Sequence, residues 1–548
     1  MARPRRSRTS PAVAPDRPEL FIGLVAATGT DTDAVAEKIR TALLAFNYAC
    51  EQVRLSSLLR QFFPDLPTDP TDRYIQSHQD AGNELREKLH RPDALALAGV
   101  TEILTIRAEK IGDSQTDLQP LAETAYLIRS LKTPDEVTTF RDLYGDRFIL
   151  ISAYAPRDAR VTALARRIAD DSTSRIDETL ARSKAEAIVA RDEAEEANEY
   201  GQNVRSAFPL ADFFVDARTP AALEQSIERC FDIFFGDPFR TPTRDESGMF
   251  YAEAAGVRSA ELGRQVGAAI TTEEGALVAV GTNDVAKRGG GLYWEGDEHD
   301  DRDFKRGVDT NEVRRTRIVE ELLARMKEEH WLRPERESAT AATLLKVFDD
   351  TRLASLIEFG RAVHAEMAAM TDAAYRGVSV RGCTLYTSTF PCHLCARHVV
   401  AAGIERLVYI HPYPKSLAAQ LYEDTIAVDQ QHAPAHVIEF QPFVGVAPTR
   451  YLDLFRARQR KLAGGTAVQF VRTDARPKFI YRPFSELAYL LREQVGADSF
   501  NDALSPAGLK PTPRRRRKSS TPRTPTTTRT RKPTSRRQTS RPGETKGA

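Results

Sequence analysis

His364-Ala365-Glu366 and, about 25 residues further on, Pro391-Cys392-His393-Leu394-Cys395 are the two strings on which this chain turns. One imidazole and two thiolates make three ligands for a tetrahedral zinc ion, and three leave the fourth position open, as in a catalytic rather than a structural site. A metal so held lowers the pKa of a bound water to roughly 7. Glu366 is not needed as a ligand and is free to move protons between water and substrate. A lone C-x-x-C is also a structural zinc half-site or a redox pair, and a lone H-x-E arises by chance. The two together, each at a helix start and with Pro391 before the first cysteine, favour the catalytic reading. His393 is expected at a pocket rim or on the surface rather than as a fourth ligand.

The flanking residues set these strings in a fold. Cys383–Thr389 reads as a strand, and Pro391 is suited to the first turn of the helix that carries the cysteines. Gly403 is a candidate C-cap, and Leu407-Val408-Tyr409-Ile410 is a further strand. Around the H-x-E, Ile357, Val363, Met367 and Met370 recur at helical spacing. Residues i and i+2 do not share a helix face, so His364 and Glu366 can cooperate only across the start of that helix. Upstream, Gly267–Ile270, a turn near Glu274-Gly275 and Leu277–Val280 predict a hairpin, followed by Gly281-Thr282-Asn283. The expected unit spans 245–500 with an insertion at about 284–350, which holds a long amphipathic helix around Val319–Trp331. An acidic cluster there, Glu295 to Asp303 with His299 inside it, reads as a solvated loop in preference to a second metal site.

A second α/β unit is expected at 19–240. Leu20–Ala27 is an apolar strand, Thr28-Gly29-Thr30-Asp31 a turn, and Val35, Ile39, Leu43 and Leu44 the face of a helix. Strand, glycine turn and helix open a parallel α/β layer. Gly23, Gly29 and Thr30 have the character of a phosphate-binding loop, but Thr30-Asp31 stand where Walker A requires Lys-Ser. The expectation is a degenerate P-loop nucleotide-kinase-like domain kept as scaffold or sensor. Phe148–Ser152 reads as a later strand, and Arg182–Asn198 as an exposed helix or linker.

The net charge of +1 hides an asymmetry. Residues 510–548 carry 14 Lys/Arg against one acid, leaving 64 basic and 76 acidic groups in the rest. Such a tail, rich in Thr, Ser and Pro, cannot form an apolar core; 505–548 and the arm 1–18 are expected to be disordered. The tail suits phosphate contacts with nucleic acid, and equally a solubilising role. Five cysteines, scattered apart from the pair at 392 and 395, argue for a reducing interior. With no apolar run of about 20 residues and no signal-peptide core, a cytoplasmic protein without a membrane span is expected.

Arg264–Ala268, Gly281-Thr282-Asn283, His364-Ala365-Glu366, Tyr386–Cys392 and Ala402-Gly403-Ile404 resemble the deoxycytidylate deaminase branch of the cytidine deaminase superfamily. The degenerate Gly-Thr-Asp loop, Leu131–Val137 and Tyr413–Leu417 look like the anti-phage dCTP deaminases of bacteria. The resemblance covers most of 19–460. It implies an α/β/α sandwich with a mixed sheet behind the N-terminal domain, one zinc ion on His364, Cys392 and Cys395, and Glu366 as the proton carrier. It further implies Asn283 on the sugar, Lys415 and Arg264 on phosphate, and a homo-oligomer, in some members held by a small inhibitory RNA or nucleotide effector. The activity implied is conversion of dCTP, and in part dCMP, to the deoxyuridine nucleotide with ammonia release, depleting dCTP in defence against phage. Two other readings stand beside it: a deaminase acting on cytosine or adenine in nucleic acid, and an RNA- or nucleotide-sensing regulator with deaminase output.

Overall fold

The computed structural model describes residues 17–112, 119–171, 177–195, 198, 200–348, 351, 353, 356–430, 434, 436–457, 459–478 and 488–511. The expected arm, apart from its last two residues, and the tail from 512 lie outside these described residues. Five of the six strands of the first sheet come from the first part of the chain: Leu20–Ala26 (β1), Ala49–Arg54 (β2), Thr124–Leu131 (β3), Phe148–Tyr154 (β4) and Phe213–Asp216 (β5). They pair in parallel in the order β5-β4-β1-β3-β2. Every residue of β1 is buried, because helices cover both faces of the sheet. Phe21 and Val25 pack into one core, while Leu20, Ile22 and Leu24 pack into the other, as strand alternation requires.

The second sheet is mixed. Its strands are Gly267–Thr271 (β6), Leu277–Thr282 (β7), Thr384–Thr389, Arg406–His411, Ile426–Val428 and Ile438–Pro442. A separate two-stranded ribbon joins Asp284–Val285 (β8) to Ala362–Val363 (β9). With the last four strands of the sheet numbered β10 to β13, the order is β12-β13-β11-β10-β6-β7. β6 is antiparallel to both β7 and β10, and the other pairs are parallel. On one face, Met249 and Ala252 of the helix Arg244–Gly256 meet Ala269, Tyr386 and Val408. On the other, Ala365 and Ala369 of the helix Ala365–Tyr375, and Ala396 and Val399 of the helix His393–Ala401, meet Ile270, Leu385 and Leu407. The mixed α/β architecture is the one the sequence predicts.

Several expected boundaries differ. The chain leaves the second sheet after β13 and adds Gly445–Val446 (β14) antiparallel to β5, at the edge of the first sheet. The helix Ala488–Leu504, expected at the end of the second unit, packs on the helix Ala94–Ile111. Its Glu493 receives Arg107 at 2.6 Å while Arg107 also holds Glu19 at 2.9 Å, all three buried. The excursion expected at 284–350 has its neck at the β8–β9 pair and so runs from 286 to 361. Its long helix is Thr310–Glu328, started by Asp309, whose carboxylate accepts from Asn311 and Glu312 amides; Trp331 lies beyond it, 78% exposed. Most of the aspartates around His299 are taken by basic side chains, Asp297 by Lys287, Asp300 by Arg302, Asp301 by Arg306 and Arg361, and Asp303 by Arg361, while Glu298 lies 3.6 Å from His299 itself. Finally, the segment expected as an exposed helix or linker is the packed helix Glu178–Glu193. Its Ala181, Ala185, Ile188 and Val189 lie against Val161, Leu164 and Ile168.

Candidate metal centre and active site

Two helix starts converge on one point. His364 is the N-cap of the helix Ala365–Tyr375, and Cys392 the N-cap of the helix His393–Ala401. The partial positive charge at both helix starts favours thiolate over thiol. His364 Nδ1 lies 3.3 Å from the Sγ of both Cys392 and Cys395, and the three ligand atoms fall within 4.8 Å of one another. Zinc bonds of about 2.0 Å to nitrogen and 2.3 Å to sulfur require tetrahedral N–S separations of about 3.5 Å. The residues present fit the ion. Among the described residues no other group of histidine, cysteine and carboxylate side chains gathers in this way.

The three side chains share their protons unevenly. The Cys392 thiol is pushed down to about 4 by hydrogen bonding from Cys395 and then by His364, and Cys395 is pushed up by the same contact. Hydrogen bonding to Cys392 pushes His364 up to about 9. Two adjacent sulfurs resist joint ionisation unless a cation lies between them, and a divalent metal provides one. Cys392 Sγ also accepts the Cys395 amide at 3.4 Å, which fixes the first turn of its helix. His393 stands outside the trio, its Nδ1 buried without a hydrogen-bond partner among the described residues.

Glu366 sits in the first turn after His364, 4% exposed, so the two side chains flank the helix start. Burial holds its carboxyl above the usual range, offset in part by His364. A carboxyl group so placed can carry a proton near neutral pH. Its position depends on Gly281 of β7: a Cβ there would lie 2.2 Å from Ala365 O and 2.3 Å from Ala369 N. The helix therefore rests directly on the strand.

At the carboxyl ends of β10 and β11 lies a cavity of ≈ 690 Å³ whose lining includes Ser388, Thr389 and His411 but none of His364, Glu366, Cys392 and Cys395. Arg264 and Lys415 both line it, two exposed cations brought to one opening from 151 residues apart. Asn283 has a different place. Its Oδ1 accepts the Val266 amide and its Nδ2 donates to the Arg264 carbonyl, both at 2.7 Å. It thus fastens the loop that presents Arg264, and half of its amide hydrogen-bonding capacity is already used. Ser416 Oγ donates to the Pro391 carbonyl at 2.8 Å, tying the Lys415 loop to the cysteine loop. Gly23, Gly29 and Thr30 lie far along the chain, on β1 and the turn after it; Gly29 has φ +93°.

Other cavity residues escaped the sequence. His411 is pushed down to about 4, first by burial and then by the charge of Arg264, so it faces the cavity neutral. Tyr413 and Glu253 also line it, and burial raises the pKa of each. Arg205 and Ser206 arrive from the short helix Val204–Ala207, which follows the first sheet's fourth strand. Only Tyr413 stood in a stretch with a family signal; the others depend on long-range packing.

Residues 242–411 match the family described as the cytidine and deoxycytidylate deaminase zinc-binding region. The deoxycytidylate deaminase of Enterobacteria phage T2 is 41% identical over 54 residues, 10% of this chain and 29% of the phage protein. A probable deoxycytidylate deaminase of Drosophila melanogaster is 31% identical over 100 residues, 17% of this chain and 48% of its own length. The chain thus spans less than half of each of these curated relatives. The crystal structure of apo dCMP deaminase from the cyanophage S-TIM5 aligns with 37% of this chain and 98% of its own at 15% identity, with a TM-score of 0.20. The match to the cytidine and deoxycytidylate deaminase zinc-binding region is thus confined to residues 242–411 and takes in the His364, Cys392 and Cys395 trio together with Glu366.

Proposed function

We propose that the protein is a zinc-dependent deaminase of deoxycytidine nucleotides, acting on dCTP and also on dCMP. The observation that carries this reading is the gathering of His364, Cys392 and Cys395 with buried Glu366 at two helix starts, the loop of Lys415 being tied through Ser416 to the cysteine loop. Zinc on the trio would supply an activated water at neutral pH. Glu366 would take a proton from that water, deliver it to the ring nitrogen N3, and assist the exocyclic amine to leave as ammonia. Arg264 and Lys415 would hold the phosphates, while Asn283 would keep Arg264 in place and offer its remaining amide capacity to the sugar. The cavity that Arg264 and Lys415 line suits a mononucleotide in size. Depletion of dCTP in anti-phage defence, a homo-oligomeric enzyme and control by a small RNA or nucleotide belong to the same proposal and rest on the motif resemblance.

Ammonia release tests it. Zinc-loaded full-length protein is assayed on dCTP, dCMP, CTP, dATP and a cytosine-containing single strand, beside Glu366→Ala. Turnover of dCTP or dCMP, lost in the variant, is expected. Turnover of the single strand alone would overturn the nucleotide reading and favour a nucleic-acid deaminase.

A further inference from the structure

A second cavity, of ≈ 160 Å³, opens in the first unit at the carboxyl ends of β1 and β3. Its lining is unusual in chemistry rather than size. Thr30 Oγ1, His78 Nε2, both amide atoms of Gln79 and Gln202 Oε1 are buried there without a hydrogen-bond partner among the described residues. All four residues are more than nine-tenths buried, Gln79 being 4% exposed. Buried polar groups are rarely left unpaired, so five such atoms in one cavity call for something to pair them. His78 Nδ1 lies 2.7 Å from the Tyr74 carbonyl and must donate to it, which leaves Nε2 as an acceptor. Burial lowers the pKa of this imidazole, consistent with the neutral tautomer. The wall therefore offers an amide with both a donor and an acceptor, two further acceptors and a hydroxyl.

The position an anion would take at this helix start is already filled from inside. Asp192, fully buried, accepts the Thr28 amide at 2.7 Å and pairs with Lys132 at 2.6 Å. The loop after β1 thus spends its amide and its nearest lysine on the protein's own carboxylate. Two other cations line the same cavity on its exposed side: Arg54 and Arg167 make no side-chain hydrogen bond or ion pair among the described residues.

We infer that this cavity is a ligand site for a nucleoside phosphate, separate from the zinc-ligand trio. The base edge pairs with Gln79, His78 and Gln202, since a glutamine amide reads adjacent donor and acceptor atoms of a base with both of its own. The phosphate meets Arg54 and Arg167 at the mouth instead of the loop amides. The base would lie within the ≈ 160 Å³ cavity and the phosphate at its exposed mouth. Gln202 stands three residues before Arg205, so the bound base touches the segment that also walls the cavity at the ends of β10 and β11.

The test is isothermal titration of full-length, zinc-loaded Glu366→Ala protein with AMP, GMP, CMP, UMP, the four nucleosides and inorganic phosphate as separate probes. One nucleotide is expected to bind once per chain, with its nucleoside and phosphate each at least tenfold weaker. Gln79→Met and His78→Phe should each weaken it at least tenfold, and Arg264→Ala should leave it unchanged. Without ligand, Gln79→Met should hold or raise Tm, because it removes two unpaired atoms and keeps the volume. Arg54→Ala and Arg167→Ala, both at exposed positions, read the phosphate contact even if a buried variant fails to fold. Binding insensitive to all four of these variants, binding that Arg264→Ala abolishes, or no binding of any nucleotide would overturn the site and leave the cavity to ordered water. A fall in Tm for Gln79→Met would likewise assign the amide a structural role.

Discussion

Gly281→Ala is the smallest change expected to disable the metal centre from a distance. The added methyl would lie 2.2 Å from Ala365 O, 2.3 Å from Ala369 N and 3.0 Å from the Ala368 carbonyl carbon. These are backbone atoms, so no rotamer change can relieve the contact. Carbon contacts settle at about 3.5 Å, so the helix Ala365–Tyr375 must retreat from β7 by roughly 1 Å. That helix sets His364 and Glu366, whereas Cys392 and Cys395 belong to another helix and would stay behind. Displacement of a catalytic group by about 1 Å costs on the order of 100-fold in rate, and overpacking of this kind costs about 1–3 kcal/mol of stability. The assay is paired: zinc affinity by competition with a chromogenic chelator, and ammonia release from dCTP, with urea unfolding alongside. Gly263→Ala is the control, since nothing lies within 4 Å of a Cβ there. Wild-type zinc affinity and rate in Gly281→Ala would refute the argument that this contact positions the site.

Other outcomes follow from the same geometry. Glu366→Gln should keep zinc while ammonia release falls by about 10²–10⁴, measured beside metal content. Chelation of zinc should lower Tm, because an ion bound only by the folded chain at 1,000-fold excess over its Kd adds about 4 kcal/mol; thermal unfolding with and without chelator reads it, and Cys392→Ser should remove the difference. Arg264→Ala and Lys415→Ala should each raise KM for dCTP by about tenfold or more, with a smaller effect in high salt, checked by steady-state kinetics. His411, pushed down to about 4, binds fewer protons folded than unfolded, so it adds stability above its unfolded pKa of about 6.5 and loses it as pH falls from there towards 4. The difference is at most about 3 kcal/mol, and His411→Gln should flatten that part of the urea-midpoint profile.

What could be read in the residues was local. The gathering of His364, Cys392 and Cys395 was legible because their spacing is set by helix starts, which a cap residue and a proline announce. The β6–β7 hairpin and β1 are legible because alternation and continuous apolar runs record how many faces are buried. Arg205 in the cavity was beyond reach: it arrives from the other sheet's side, and no spacing encodes that approach. The helix Glu178–Glu193 misled because its buried face is built partly from alanines, Ala181 and Ala185, beside which its charged residues dominate the composition. Asn283 shows a subtler limit. The resemblance implied a sugar contact, but only coordinates reveal that both ends of its amide hold the loop carrying Arg264.

The return of the chain to the first sheet has a practical consequence. β14 completes an edge of that sheet, and Glu493 brings a carboxylate to Arg107 from 386 residues away. A cut near residue 240 would therefore leave two fragments that each expose surface made for the other. Produced separately, they should be poorly soluble; produced together, they should reassociate into a nicked whole. The molecule is better dissected by point substitution than by truncation, and any partner inserted by evolution or by design belongs in the 286–361 excursion, whose neck is already closed.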